Sequence, residues 1–224
     1  MRKIGLTQRV EVIKERSERR DALDQAWARL LLSKNLFPVP LPNCVTDVGG
    51  LLRELQLDGV ILTGGNDLGG PSLAQRKVGD RCSGAADAAP ERDSLERALL
   101  EVCAERGIPV LGVCRGMQLL VTHYGGRILE LPGHLGTRHT ITVRSADGLG
   151  LGPRESVNSF HRFGVRHEDI GPNLIPLAGA EDNTVEAVAH HTYPQWGIMW
   201  HPERAPCDGR AKCLLARVFG GDKP

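Results

Sequence analysis

The 224-residue chain carries no surplus of charge of either sign: 28 Lys and Arg stand against 27 Asp and Glu, a formal net charge of +1. That balance excludes the basic surface on which nucleic-acid binding usually rests, so no nucleic-acid partner is expected. Long apolar runs are also missing. None approaches the roughly 20 residues that cross a bilayer, and no membrane association is expected. The opening stretch MRKIGLTQRVEVIKERSERR turns charged too early to hold the apolar centre of a secretory signal, which points to a cytoplasmic protein. The six cysteines, at 44, 82, 103, 114, 207 and 213, form neither a C-x-x-C pair nor a zinc-like quartet. Eight histidines, His190-His191 among them, show no standard metal spacing, and neither a metal nor an organic cofactor is expected. No repeat, low-complexity tract or linker divides the chain, so residues 1–224 are expected to form one domain.

What is present is an ordinary folded composition, 41% hydrophobic and 25% charged, in which short apolar runs alternate with amphipathic segments. Lys3–Thr7, Phe37–Leu41, Gly59–Thr63 and Val110–Val113 read as strands, the second kept to an edge or loop by Pro38, Pro40 and Pro42. Val110–Val113, apolar apart from Gly112, suits the middle of a parallel sheet. Ser17 reads as the cap of a first helix carrying Ala22, Leu23, Ala26, Trp27, Leu30 and Leu31 at helical spacing. Further helices are expected near Asp47–Leu55, Glu91–Arg106, Arg115–Tyr124 and Lys212–Phe219, with a loop over 69–90. Strands are expected around 139–143, 156–158, 184–189 and 196–200. The pattern predicts an α/β fold, a doubly wound and mostly parallel central sheet flanked by helices, with an antiparallel accessory layer.

Chemistry concentrates at Gly112-Val113-Cys114-Arg115-Gly116, where a buried strand becomes a helix. This is the layout of a nucleophile elbow, G-x-Nuc-x-G, with cysteine as nucleophile. So tight a turn brings neighbouring backbone close together, and the glycines two before and two after Cys114 answer that demand. Cys114 would sit at a helix N-terminus, whose unpaired N–H groups favour an anion. Gln118, one turn on, returns to the side of the sulfur and can face a substrate. Cys103, in a helical pattern, reads as an inert small hydrophobe.

A thiolate nucleophile needs a base and the base an orienting group. His201 and Glu203, two apart and flanking Pro202, supply both, on an extended segment that would place them on one face. Gly64-Gly65, at the carboxyl end of a strand, lets backbone N–H groups approach a ligand. The Gly65 and Arg115 N–H groups are assigned as oxyanion-hole donors.

Together GGND (64–67), GVCRGMQ (112–118), VNSFHRF (157–163) and GIMWHPE (197–203) resemble the class I glutamine amidotransferase superfamily, in particular its stand-alone gamma-glutamyl hydrolase branch. The resemblance implies a catalytic triad of Cys114, His201 and Glu203, substrate contacts from Gln118, Ser159, Phe160 and His161, and a small gamma-glutamyl substrate. Within the branch, GLTQR (5–9), ALDQAW (22–27), VPLP (39–42), GVILTGGNDL (59–68) and GIMWHPER (197–204) are similar to the enzymes that act on gamma-glutamyl-CDP-amidate in capsule biosynthesis. That substrate implies phosphate partners, for which Arg9 stands just past the first strand and Arg19 and Arg20 nearby. A gamma-glutamyl-gamma-aminobutyrate hydrolase stays open as a reading, as does a glutaminase component feeding ammonia to a separate synthetase. So does self-association. A non-enzymatic sensor using Cys114 would have no use for His201, Glu203 and the Gly-Gly donor site.

Overall fold

Two fully buried four-residue strands, β5 (Gly59–Leu62) and β6 (Val110–Val113), lie side by side at the centre of an 11-stranded sheet. In this computed structural model, residues 1–69, 88–144, 149–204 and 209–220 are described. Beside them run β1 (Arg2–Leu6), β4 (Leu36–Pro40) and β13 (Gln195–Ile198), giving the parallel order β4-β1-β5-β6-β13. Strand β4, with its prolines, is the edge, where a missing N–H breaks no ladder. From β13 the sheet continues antiparallel through β12 (Thr184–His190), β11 (Leu174–Ala180), β8 (Leu135–Val143) and β9 (Arg154–Phe160). Strand β10 (Phe163–Arg166) pairs with β12 and with the short β7 (Leu129–Glu130). The expected parallel sheet with an antiparallel layer is therefore observed.

Helices cover both faces of the parallel half, because strands buried on both sides need two apolar layers. On one face Trp27, Leu30 and Leu31 of α1 (Gln25–Leu32) and Leu214, Leu215, Val218 and Phe219 of α5 (Gly209–Phe219) join Ile4, Ile61, Leu111 and Ile198. On the other, α2 (Val48–Leu55), α3 (Pro90–Arg106) and α4 (Arg115–His123) pack Leu52, Leu99 and Leu120 against Val60, Leu62 and Val110. Local chemistry sets the helix ends. Asp47 caps α2 through Gly50 N–H at 2.8 Å, while Pro90 opens α3 and Gly107, at φ 65°, closes it.

The first helix departs from the sequence reading. Ser17 is not a cap; it turns, at φ 51°, between β2 (Arg9–Ile13) and β3 (Glu18–Ala22), a separate two-stranded hairpin. Helix α1 starts eight residues later, with the Asp24 carboxylate accepting from Ala26 N–H at 2.9 Å. Arg19 and Arg20 thus lie on β3, paired with Glu91 and Glu18. Of the expected 69–90 loop, residues 70–87 lie outside the described residues, as do Cys82 and Cys207. Among the described residues no helix is long and apolar enough to cross a membrane.

Between β6 and α4 the backbone bends at Cys114, with φ 52° and ψ −102°. A Cβ on Gly112 would lie 2.6 Å from the Gly116 carbonyl carbon, and one on Gly116 only 2.2 Å from Leu62 O. Both neighbours are rigid backbone, so glycine is required by contact and not by torsion. Gly116→Ala is expected to destabilise the fold by about 1–3 kcal/mol through overpacking, read as a lower urea midpoint at unchanged m-value. An unchanged midpoint would mean that the elbow is looser than its contacts indicate.

Candidate active site

The carboxyl ends of β1, β5, β6 and β13 converge on one side of the sheet, the usual place for a ligand in a doubly wound fold. Cys114 is held there by its N–H, which donates to Ile198 O at 2.7 Å. After Ile198 the chain leaves β13, and Pro202–Arg204 form a single 3-10 turn. The extended geometry expected for His201 and Glu203 is therefore replaced by a turn, since Pro202 has no N–H to continue a ladder. The turn still joins the two side chains, with His201 Nδ1 2.7 Å from Glu203 Oε1. Both groups are buried.

Nδ1 being taken by Glu203, His201 has Nε2 left for Cys114, whose side chain bears on the charge of the ring. Burial by itself lowers the His201 pKa. The side chains of Cys114 and Glu203 outweigh it and bring the value up to about 9. Gly64 gives the ring its space, as a Cβ there would stand 2.7 Å from His201 Cε1. The Phe160 ring closes the other side, edge to face at 5.9 Å.

Two supports of this arrangement escape sequence reasoning. Asn158 brackets the His201 backbone, donating from Nδ2 to His201 O at 2.9 Å and accepting from His201 N–H at 2.8 Å. Its place in VNSFH, next to residues already suspected, was the available signal. The second support is a buried charge network. Arg92 Nε donates to Glu96 Oε1 at 2.8 Å, and Arg115 bonds both Glu96 and Asp93. The same Arg92 donates to Thr63 O at 2.6 Å, Gly65 O at 3.0 Å and Gly64 O at 3.2 Å. Burial works against ionisation of Glu96, but Arg115 and Arg92 outweigh it and hold the carboxyl below its ordinary range. One network thereby fixes the glycine turn after β5 and the first residue of α4. A peptide group is planar and trans, so tying Gly64 O to Arg92 turns the Gly65 N–H the opposite way.

A cavity of about 350 Å³ opens beside the sulfur. Cys114, Gly65, Arg115, Gln118, Phe160, His161 and Arg9 line it, together with Leu135 and Arg162. Gln118 is anchored, its Nε2 donating to Phe163 O at 2.8 Å. Arg9 lies over Gly65 at the mouth, with its side chain about half exposed. Ser159 is placed differently. Its hydroxyl is fully buried and donates to His134 O at 2.5 Å, so it braces the strand end and does not line the cavity. Arg19 and Arg20 are likewise absent from the cavity lining.

Fold and sequence place this chain in a class. Residues 4–203 match the family model Peptidase C26, and the chain belongs to that family. It is 32% identical over 206 residues to the gamma-glutamyl-CDP-amidate hydrolase of Campylobacter jejuni, covering 90% of each chain. It is also 32% identical over 206 residues to the gamma-glutamyl-gamma-aminobutyrate hydrolase of Escherichia coli O157:H7, covering 81% of this chain and 78% of that one. The solved structure of a glutamine amidotransferase from Thermotoga maritima shares the fold, with a TM-score of 0.62 at 16% identity. That likeness covers 98% of this chain and 82% of the other. The chain is a hydrolase of this family.

The raised pKa of His201 gives a signed expectation. Protonated imidazole persists up to about pH 9, so activity that needs it as proton donor declines as pH rises through that value. Glu203→Gln removes one of the groups that raise the pKa and is expected to move this alkaline limb to lower pH, with kcat lower by roughly 10²–10⁴-fold. A pH profile of kcat/KM in which the limb stays put in Glu203→Gln would contradict the coupling.

Proposed function

We propose that the protein hydrolyses gamma-glutamyl amides through a glutamyl thioester on Cys114. The observation that supports this reading is the buried His201–Glu203 pair beside Cys114, whose sulfur faces an open cavity. The thiol proton rests on His201, whose imidazolium persists to about pH 9, and Sγ adds to the gamma-carbonyl carbon. The oxyanion is met by the Gly65 and Arg115 N–H groups, each worth about 3–4 kcal/mol in comparable sites. Support for these donors comes from Arg92, which orients the Gly65 peptide, and from the position of Arg115 as the first residue of α4. Protonation by His201 expels the amine nitrogen and leaves the thioester. The same imidazole then removes a proton from water, whose oxygen attacks the acyl carbon and releases glutamate with the free thiol. Glu203 fixes the ring orientation and balances the imidazolium charge. The anchored Gln118 faces the acyl side of the cavity.

The leaving group is a cytidine diphosphoramidate, the product released from gamma-glutamyl-CDP-amidate. The relative of that name covers 90% of both chains. Arg9 and Arg162 at the cavity mouth suit phosphate oxygens, and the exposed Leu135 and Phe160 offer apolar surface to a base. The equal identity to a gamma-glutamyl-gamma-aminobutyrate hydrolase favours the second reading, a smaller amine leaving group in the same site.

Glutamate release from a panel of gamma-glutamyl-CDP-amidate, gamma-glutamyl-gamma-aminobutyrate and glutamine separates these readings. Cys114→Ala is expected to abolish release from every compound while leaving the melting temperature near that of the parent. Arg9→Ala is expected to lower kcat/KM about tenfold for the nucleotide-linked compound and to leave the aminobutyrate compound unaffected. Release retained in Cys114→Ala would remove the assigned nucleophile, and an indifferent Arg9 would remove the phosphate contact.

A further inference from the structure

Beneath the cavity, on the antiparallel half of the sheet, three imidazoles converge on one buried carboxylate. Glu186 of β12 is fully buried, and neither carboxylate oxygen has a hydrogen-bond partner. Around it stand His161 Nε2 at 3.6 Å and His134 Nδ1 at 3.8 Å from Oε1, and His139 Nε2 at 3.3 Å from Oε2. These three nitrogens are buried and equally without hydrogen-bond partners. The far nitrogens of two rings are occupied. His161 Nδ1 lies 3.1 Å from Phe163 O, and His134 Nε2 lies 2.7 Å from Asp182 Oδ2.

That second ring of contacts fixes the tautomers. A carbonyl oxygen only accepts, so His161 carries its proton on Nδ1 and, as a neutral ring, turns the Nε2 lone pair toward Glu186. Asp182 does the same for His134, leaving a lone pair on Nδ1. Lone pairs then face carboxylate lone pairs at 3.6–3.8 Å with nothing between them. Protonating all three rings would place three positive charges on one carboxylate in a buried site, at a large desolvation cost. His139, whose Nε2–H can donate to Oε2 at 3.3 Å, answers one oxygen, and a cation between His134 Nδ1, His161 Nε2 and Oε1 resolves the rest. Two ligands about 2.0–2.1 Å from a tetrahedral metal stand about 3.3–3.4 Å apart, close to the separations observed.

We propose that His134, His161 and Glu186 form a zinc site, their ligand atoms all lying within 4.8 Å of one another. Two imidazoles and one carboxylate, with water in a fourth position, suit tetrahedral Zn²⁺. The Asp182–His134 contact is the carboxylate–histidine support that such ligands commonly have. The metal would tie the start of β8, the end of β9 and β12 together directly behind Asn158 and Phe160, which hold His201. The site shares His161 with the cavity wall, and its test does not use activity.

The protein is dialysed against a chelator and then titrated with Co²⁺ and, separately, Zn²⁺. One equivalent of Co²⁺ is expected to develop the visible absorption of a four-coordinate centre, and one equivalent of Zn²⁺ to raise the melting temperature and displace the cobalt. Asp182→Asn, a partly exposed change, is expected to weaken Co²⁺ binding roughly 10–100-fold. His134→Ala, which removes a ligand, is expected to abolish the four-coordinate spectrum. Absence of a stoichiometric spectrum and of any thermal shift in the parent protein would overturn the proposal. So would binding that is unchanged in both variants, since the metal would then sit elsewhere.

Discussion

Everything at the candidate site is referred to the left-handed backbone at Cys114. A non-glycine residue at φ 52° costs about 1–3 kcal/mol, and such a conformation persists only where its surroundings leave no alternative. Here the surroundings are backbone. Gly116 touches Leu62 O, Gly112 touches Gly116, and the Cys114 N–H is tied to Ile198 O. Strands β5, β6 and β13 are thereby locked to the first turn of α4, and the sulfur is lifted toward the chain end that carries His201. The elbow joins the two sources of chemistry because the sheet places β6 between β5 and β13.

The charge network around Glu96 extends that constraint. Arg115 follows the nucleophile, yet its side chain turns away from the cavity into the interface of α3 and α4, while its backbone stays at the elbow. Through Glu96 it is coupled to Arg92, and Arg92 grips three successive carbonyls after β5. Buried ion pairs contribute little net stability against an apolar alternative, but here they hold geometry although Arg115 Nε is left without a partner. Such a network suits a site in which two N–H groups from different elements must meet one oxygen. Its cost is carried by the apolar layers on either face of the sheet.

The parts of this site that were legible in the sequence are local. G-x-C-x-G and H-P-E each encode a short-range geometry, and the parallel strands announce themselves as apolar runs with glycine or proline at their ends. The β2–β3 hairpin was not legible, since both strands are largely exposed and ERSERRDA carries no alternation of apolar and polar residues. With no buried face to set a period, its arginines read as the start of a helix. Asn158, Arg92 and Glu96 escaped for a different reason: each acts on backbone or charges more than 15 positions away or on another element. The histidines around Glu186 come from β8, the turn after β9 and a neighbouring segment. Their sequence spacing therefore carries no metal signature, although their atoms converge.

Mass spectrometry of the protein quenched during turnover with a gamma-glutamyl substrate tests the central claim most directly. The account predicts an added glutamyl group located on Cys114, accumulating when deacylation is slowed and absent from Cys114→Ser as a thioester. A modified residue other than Cys114, or turnover with no acyl group on the protein under any quench condition, would contradict it.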